Sequence, residues 1–367
     1  MKVVMISKAF VRDVYQRKLE EIARHADVDL TLISPPSWRE GGSVLPLTRR
    51  FTAGYQILVT PIVFNGRFHI HFYPRLPELL RHLRPDLVHV DEEPYNLATL
   101  LALRAARRVG ARSLFFTWQN LHRSLPVPFS TLESWNYRLV RGAIAGNQDA
   151  EGVLRAKGFR GPIWVIPQFG IDPELFKPAE RPEDATFRIG YVGRLTRAKG
   201  VDLLLRACQE LDDPWTLDVV GTGEAQVELE EQRQALGLGD RVRFVGEMPS
   251  TAVPGVMRRF DALVLPSRST PNWREQFGRV LMEAMACGVV PIGSSSGEIP
   301  RVIGEAGLIF TEGDWTILRS CLRDLQNDPE RRRALGARAR ERALSLFTHQ
   351  RIAERTVEVY REVLTGR

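Results

Sequence analysis

The chain has 367 residues, of which 44% are hydrophobic and 26% charged, so it fits two domains of roughly 150 to 200 residues and is neither disordered nor fibrous. Its net charge of +7 arises in residues 1–180, which carry 24 Lys and Arg against 17 Asp and Glu, whereas residues 181–367 carry 27 of each. This excess of positive charge is compatible with binding to an anionic membrane or an anionic substrate. Basic runs with interleaved aromatic residues are lacking, so nucleic-acid binding is not expected. Solvated arginines are the simpler interpretation.

Signals for membrane insertion, secretion and disulfides are weak. No apolar run approaches the ~18 to 20 residues of a membrane span, and the opening MKVVMISKAF has the pattern of a buried strand without a signal-peptide cleavage site. We expect a cytoplasmic protein, and the basic first half leaves open peripheral contact with the inner face of the membrane. The cysteines lack CxxC or metal-ligand spacing and are expected to be buried thiols: Cys208, Cys287 and Cys321.

Short apolar runs alternate with amphipathic stretches in the first half of the chain, which predicts a parallel sheet covered by helices. The apolar stretch from Phe51 to Phe64 is broken by Gly54 and Pro61 and predicts a strand or a hairpin insertion. Strands are predicted at Lys2–Ser7, Val28–Ile33, Leu87–Val90, Ser113–Phe116, Ala143–Ala145 and Ile163–Ile166. Helices are predicted at 13–25, 75–83, 95–109, 131–141 and 148–157.

The second half repeats this rhythm after GIDPELFKPAERPEDAT, a segment rich in Pro and charge. We predict a Rossmann-like domain over 1–172, a linker over 173–186, a second Rossmann-like domain over 187–349, and a helix over 350–367 that could cross back to the first domain. The carboxyl ends of both sheets are expected to face a central cleft. Strands are predicted at Phe187–Val192, Thr216–Val220, Val242–Val245, Ala262–Leu265, Val289–Ile292 and Leu308–Phe310.

The stretch FRIGYVGRLTRAKG, residues 187–200, combines an apolar strand with Gly193, Arg194 and Lys199 before a helical pattern. Small residues let backbone amides approach a phosphate, and a helix N-terminus adds partial positive charge. Arg194 and Lys199 are therefore candidate catalytic groups that would stabilise a diphosphate. Taken alone, the pattern is more often that of an ordinary strand-to-helix turn.

A second stretch, EQFGRVLMEAMACGVVPIG at 275–293, places Glu275 and Glu283 in an EX7E arrangement. This pair resembles the EX7E motif of family-4 retaining glycosyltransferases, which have the GT-B fold of two Rossmann-like domains. Other segments resemble family motifs in the same order and extend the resemblance over nearly the whole chain: VIPQFGID (165–172), GYVGRLTRAKG (190–200), VVGTGE (219–224), FVGEMP (244–249) and SSGEIPRVIGEAGLIF (295–310).

The resemblance implies a metal-independent glycosyltransferase of hexosyltransferase type that uses no cofactor. Its donor would be a nucleoside-diphosphate-sugar, and a UDP-sugar is the most favoured candidate. Glu283 would accept hydrogen bonds from the donor's ribose, and Glu275 would be a catalytic group that orients the donor sugar. The alternative for each glutamate is an exposed charge on a helix surface. Further donor-binding positions follow from the motifs: Gly193, Gln276, Phe277, Gly278, Arg279, Gly221 and Glu247.

The sequence departs from the family at three places. ISKAFV (6–11) stands where many relatives have a Gly-Gly pair, and FFTWQN (115–120) has Gln119 where they have a histidine. Gln119 cannot accept a proton near neutral pH, but it can hold a sugar hydroxyl. Arg301 replaces a glutamate in the last motif and is a candidate for phosphate binding or for a surface ion pair.

Polar side chains at the strand ends of the first domain are candidates for the acceptor side. The acceptor is expected to be a saccharide, a lipid-linked molecule or a small molecule, and the chain a monomer or weak homo-oligomer. Trp118 has two alternative roles: its ring could stack on a sugar, or it could belong to the core or the rim of the core. The candidates are Ser7, Lys8, Asp91, Glu92, Glu93, Trp118, Gln119 and Asn120.

Three other functions are less favoured by the sequence than glycosyl transfer. A nucleotide-sugar epimerase on the same architecture is disfavoured by the EX7E spacing, and a catalytically silent nucleotide-sugar-binding protein by the presence of both glutamates and both basic residues. A dehydrogenase is least favoured, because no strand is followed by GxGxxG with an acidic residue about 20 positions on.

Overall fold

The computed structural model describes residues 1–180 and 184–366, and the chain divides into two compact units. Unit 1 consists of Met1–Gly170 and His349–Arg367, and unit 2 of Ile171–Thr348. Residues 181–183 of the predicted linker and Arg367 of the predicted C-terminal helix lie outside the described residues.

Unit 1 is built on a parallel sheet, which the alternating apolar pattern predicts. Its strands are β1 (Lys2–Ile6), β2 (Asp29–Ser34), β5 (Gln56–Val59), β6 (Leu87–Val90), β7 (Arg112–Thr117), β8 (Gly142–Ala145) and β9 (Ile163–Val165), with β3 (Ser37–Glu40) and β4 (Ser43–Pro46) outside the sheet. In the described part of unit 1 the sheet order is β5-β2-β1-β6-β7-β8-β9. The six strands predicted in this half are confirmed to within one residue at each end, and the stretch at 51–64 supplies the edge strand β5.

Helices cover both faces of the unit 1 sheet, so strands such as β6 are buried along their whole length. The helix predicted at 13–25 is shorter than expected, because single 3₁₀ turns at Ala9–Val11 and Asp13–Tyr15 precede it. The helices between the strands are α1 (Arg17–Ala23), α2 (Leu76–Leu83), α3 (Leu97–Arg108), α4 (Phe129–Leu139) and α5 (Gln148–Ala156).

A two-stranded antiparallel hairpin, β3 with β4, follows the carboxyl end of β2. Gly41 and Gly42 form its two-residue turn, with φ angles of 56° and 84°. Positive φ at both turn positions is the geometry that favours tight hairpins and glycine. The sequence prediction missed this hairpin and allowed for one only at 51–64.

Unit 2 repeats the architecture with a six-stranded parallel sheet, in the order β12-β11-β10-β13-β14-β15 within the described residues. Helix residues Leu204, Met285 and Leu322 and strand residues Leu217 and Leu263 are fully buried in its core. Its strands are β10 (Phe187–Val192), β11 (Trp215–Val220), β12 (Val242–Gly246), β13 (Ala262–Leu265), β14 (Val290–Ser294) and β15 (Leu308–Phe310). Its helices are α6 (Val201–Gln209), α7 (Gln226–Ala235), α8 (Val253–Met257), α9 (Arg279–Ala286), α10 (Ile299–Ile303), α11 (Trp315–Asn327) and α12 (Pro329–Leu346).

The last helix, α13 (His349–Thr365), belongs to unit 1 although it follows unit 2 in the chain. Its apolar residues Ile352, Val357 and Tyr360 pack with Leu19 and Ile22 of α1 in one core. Burial of this stripe gives α13 a stabilising role in unit 1.

Candidate active site

The glycine loops after β10 and β11 pack against each other at the carboxyl edge of the unit 2 sheet. The Gly193 amide donates to Val220 O at 3.0 Å, and the Leu195 amide to Thr222 O at 2.9 Å. Gly221 has φ 130°, and a Cβ atom there would lie 2.0 Å from Gly193 O. Only glycine therefore fits at 221, and the backbone of the Gly193 loop is held in one position.

Gly221→Ala should destabilise the protein by about 2 kcal/mol or more, because the new methyl group meets rigid backbone and the residue also has positive φ. Gly237→Ala is the matched control, since Gly237 has φ 64° but no atom within 4 Å of its Cβ position. Thermal unfolding compares the two variants. Equal losses of stability would show that close packing of the two loops is not what requires glycine.

Lys199 and Glu275, both predicted as catalytic, meet at this same edge. The Lys199 Nζ atom lies 2.6 Å from Glu275 Oε2, and the Ser267 hydroxyl donates to the same oxygen at 2.9 Å. Glu275 is buried, whereas a fifth of the Lys199 side chain is exposed. The pair therefore places a cation and a carboxylate where a ligand can reach at least the ammonium group.

Glu283 lies within α9, one turn beyond Arg279. The Arg279 Nε atom is 3.0 Å from Glu283 Oε1. Burial raises the pKa of Glu283, and the neighbouring Arg279 guanidinium partly offsets that rise. Gly278 precedes the helix with φ 77°, so the free amides of the first turn follow directly. The helix thus offers N–H donors at its start and, one turn further on, the acceptor oxygens of a carboxylate.

Glu283→Gln should raise the Tm of the unliganded protein by roughly 2 to 4 °C, which corresponds to a gain of about 1 kcal/mol in the free energy of unfolding. A raised pKa means that the folded state binds the proton more tightly than the unfolded state, so at neutral pH the charged carboxylate lowers the stability. Glu341→Gln, at an exposed position of α12, is the control. A lower Tm for Glu283→Gln than for wild type would contradict this account.

The other predicted donor-side residues are distributed over the loops at the same edge. Arg194 is exposed after β10 and Glu247 after β12, and Gln276 is exposed beside Glu275. The Phe277 ring packs edge-to-face on Phe347, with centroids 5.7 Å apart, so part of its role is structural. Arg301 is 3.0 Å from Glu298, whose side chain is buried, so an ion pair is present but its acid does not lie on the surface as expected.

In unit 1 the three consecutive acids after β6 are each held by donors from neighbouring strand ends. Asp91 accepts from Ser7 Oγ at 2.6 Å and from Gln168 Nε2 at 2.8 Å. Glu92 forms an ion pair with Lys8. This carboxyl edge is therefore a built polar cluster. Its construction favours a positioning role for Glu92, whose side chain is fully buried, over direct contact with a substrate.

The environments of Glu92 and Glu93 move their pKa values in opposite directions. Burial alone would raise the pKa of Glu92, but Lys8 and His71 outweigh it and lower the pKa to about 2. Burial raises the pKa of Glu93 to about 7, although it accepts from Thr117 Oγ1 at 2.5 Å and from the Trp118 amide at 2.8 Å. Two adjacent carboxyls thus differ in protonation near neutral pH.

Gln119 is oriented by Lys157, a lysine whose side chain is 9% exposed. The Lys157 Nζ atom donates to Gln119 Oε1 at 3.1 Å and to both oxygens of Glu133 at 2.9 and 3.0 Å. Because an ammonium only donates, it fixes the oxygen of the Gln119 amide inward. The NH₂ group is then the end of the amide that can still donate a hydrogen bond.

Trp118 and Asn120 are more enclosed than the sequence suggested. A Cβ atom at Gly146 would lie 2.2 Å from the Trp118 ring, and Trp118 Nε1 donates to Gln168 Oε1 at 2.7 Å. Asn120 is 8% exposed. One face of the Trp118 indole is therefore packed against Gly146, which favours a role at the rim of the core.

Sequence reasoning missed three residues that organise these clusters. Ser267 follows β13 and Gln168 follows β9, so the strand-end rule used elsewhere could have found both. Lys157 lies just beyond α5, and no local signal marks it as the partner of Gln119.

No group of three or more His, Cys, Asp or Glu residues suited to hold a metal ion occurs among residues 1–180 and 184–366. In that same part of the chain, no helix is long and apolar enough to cross a membrane.

Two Rossmann-like units, with the glycine loops and the EX7E pair at one sheet edge, define a glycosyltransferase of GT-B type. The chain belongs to the glycosyl transferases group 1 family: the model of that name matches residues 172–342, and the Glycosyltransferase Family 4 model matches residues 19–175. These matches identify the chain as an enzyme of the glycosyltransferase class.

Individual relatives agree with this assignment. The chain is 29% identical to the 2-deoxystreptamine N-acetyl-D-glucosaminyltransferase of Streptomyces fradiae, over 77% of this chain and 72% of the relative. It is 32% identical to a Mycobacterium tuberculosis glycogen synthase, over 76% and 69%. An Anabaena protein crystallised with UDP shares the fold, with a TM-score of 0.72, 19% identity, and coverage of 99% of this chain and 100% of that one.

Proposed function

We propose that this enzyme transfers a hexosyl group, with retention of configuration, from a nucleoside-diphosphate-sugar to an acceptor hydroxyl. The observation that carries the proposal is the convergence of Lys199, Glu275 and the start of α9 at one sheet edge. A UDP-sugar is the first candidate donor, because the Anabaena neighbour was crystallised with UDP.

Different residues would bind different parts of the donor. Arg194, Lys199 and the first amides of α9 would hold the diphosphate, whose negative charge grows as it leaves. Glu283 would accept hydrogen bonds from the ribose hydroxyls, and Glu275 from hydroxyls of the transferred sugar. Binding the ribose would repay part of the unfavourable burial of the Glu283 carboxylate.

In the transfer step the bond between the anomeric carbon and the diphosphate oxygen breaks, and a bond from that carbon to the acceptor oxygen forms on the same face of the sugar. The acceptor proton passes to an oxygen of the leaving diphosphate. The cationic groups offset the charge of that diphosphate, so we propose that transfer needs no metal ion.

The test incubates the enzyme with UDP-, GDP- and ADP-sugars in EDTA, alone and with glycoside acceptors, and follows the anomeric proton by NMR. Release of the nucleotide with a product of unchanged anomeric configuration supports the proposal. Inverted configuration or a requirement for a divalent ion contradicts it in part. A new sugar still attached to its nucleotide would identify an epimerase instead.

A further inference from the structure

An exposed apolar and cationic surface is formed by the β3–β4 hairpin and the loop at 63–72 in unit 1. Phe64 and Val44 are each 54% exposed, Phe68 is 42% and Ile70 is 38%. Isolated apolar side chains on a surface are ordinary, but contiguous ones mark interaction sites. We call this surface the aromatic-arginine patch, and it consists of Arg39, Val44, Phe64, Arg67, Phe68 and Ile70.

The loop that carries Phe64, Phe68 and Ile70 is fastened to the hairpin by side-chain hydrogen bonds. The Asn65 side chain accepts from the Arg39 amide at 2.9 Å and donates to Ser37 O at 3.0 Å. Arg39 and Val44 are cross-strand partners and so share one face of the hairpin. Backbone hydrogen bonds of 2.9 and 3.3 Å between Val63 and Phe72 close the loop.

Phe64 is held outward at a conformational cost. Its φ angle is 56°, a left-handed conformation that is unfavourable for a bulky side chain. The ring lies edge-on to Phe72, with centroids 6.3 Å apart, yet half of it stays exposed. Such strain at a surface aromatic points to a function for its exposure.

The charge around the patch is strongly positive. Residues 37–75 contain five arginines and one acid, Glu40, and Glu40 pairs with Arg12. Arg39 and Arg67 have no ion pair within the part of the chain that the structure describes. Unit 1 as a whole carries 27 Lys and Arg against 17 Asp and Glu, a net charge of +10.

We infer that the aromatic-arginine patch docks the enzyme on an anionic lipid bilayer. Phenylalanine and isoleucine side chains enter the boundary between headgroups and acyl chains, and arginines are attracted by anionic headgroups. A second copy of unit 1 fits less well, since it would present the same positive charge.

Docking would also bring the acceptor edge to the membrane. The Lys8 Nζ atom lies 4.5 Å from the Phe68 ring centroid and pairs with Glu92 at the carboxyl edge of the sheet. An acceptor presented at the bilayer surface would then be close to the polar cluster of unit 1. This consequence, unlike docking itself, rests on the proposed function.

The test is cosedimentation of the full chain with vesicles of phosphatidylcholine alone or in equal parts with phosphatidylglycerol, at low and high salt. We expect binding only to the anionic vesicles, weakened by salt. Phe64→Asn with Phe68→Ser should lower the bound fraction about ten-fold, as should Arg39→Gln with Arg67→Gln. Asparagine tolerates positive φ, so the loop should keep its fold.

Trp135→Ser is the matched control, because Trp135 is an aromatic residue 45% exposed on α4, outside the patch. It should bind vesicles like wild type, and all variants should keep the wild-type Tm. Absence of binding to anionic vesicles at low salt, or equal binding by wild type and patch variants, would overturn the inference. So would light scattering that shows a patch-dependent dimer without vesicle binding. Each readout is independent of catalysis and therefore of the proposed function.

Discussion

Lys199→Met should lower kcat/KM for glycosyl transfer about 100- to 1000-fold, the range seen when one group that stabilises developing negative charge is removed. The ammonium lies 2.6 Å from Glu275 and remains partly exposed. Its loss removes the cation that would face the leaving diphosphate and leaves Glu275 with the Ser267 hydroxyl. Binding of the nucleoside diphosphate should weaken about 10- to 150-fold, which corresponds to a charged hydrogen bond of about 1.5 to 3 kcal/mol.

Two variants separate this effect from a general loss of charge. Lys199→Arg should retain more activity than Lys199→Met, because it keeps the cation. Lys177→Met removes a half-exposed lysine paired at 3.6 Å with Glu174 and should leave kcat/KM unchanged. Steady-state kinetics and calorimetry measure both quantities. A wild-type rate for Lys199→Met would exclude the proposed role of this loop.

Lys8→Met should destabilise the protein by about 3 to 5 kcal/mol, because it leaves Glu92 as a buried carboxylate without its cation. Lys8 and Glu92 side chains are 12% and 0% exposed. Adding Glu92→Gln should recover much of the loss, since the unpaired charge is then removed. Lys2→Met, at an exposed position of β1, is the control. Denaturant unfolding measures the free energies of unfolding of the wild type, the two Lys8 variants and this control.

The same pair predicts a pH dependence. Burial would raise the pKa of Glu92, but Lys8 and His71 lower it to about 2, below the ordinary 4.5. The stabilisation is therefore complete above pH about 4.5 and is lost as the pH falls towards 2. Lys8→Met should remove most of this dependence. An unchanged slope of stability against pH would show that the pair does not control it.

The parts predicted from sequence are those with local signals. Parallel strands place their carboxyl ends at one edge, so the loops after β10 and β13 could be expected to bring Lys199 near Glu275, as they do. The pairing of Arg279 with Glu283 also has a local signal, because it follows from their i,i+4 spacing.

Other contacts depend on the order of strands, which local patterns do not encode. Lys8 reaches Glu92 because β1 lies beside β6, and Lys157 reaches Gln119 across 38 residues. The β3–β4 hairpin is a different case, because its Gly41 and Gly42 turn is a recognised hairpin signal. The flanking strands are short and weakly apolar, which explains why the pattern was missed.

The most direct test of the central claim is calorimetric and thermal-shift screening of the purified protein against UDP, GDP, ADP and their common sugar conjugates with EDTA present. The account predicts that one nucleotide stabilises the wild type and that Glu283→Ala loses most of that shift, because Glu283 would hold the ribose. Two results would contradict a donor site at this edge of unit 2. One is that no nucleotide binds at about millimolar concentration, which corresponds to a binding free energy of about −4 kcal/mol. The other is that Glu283→Ala binds the nucleotide like wild type.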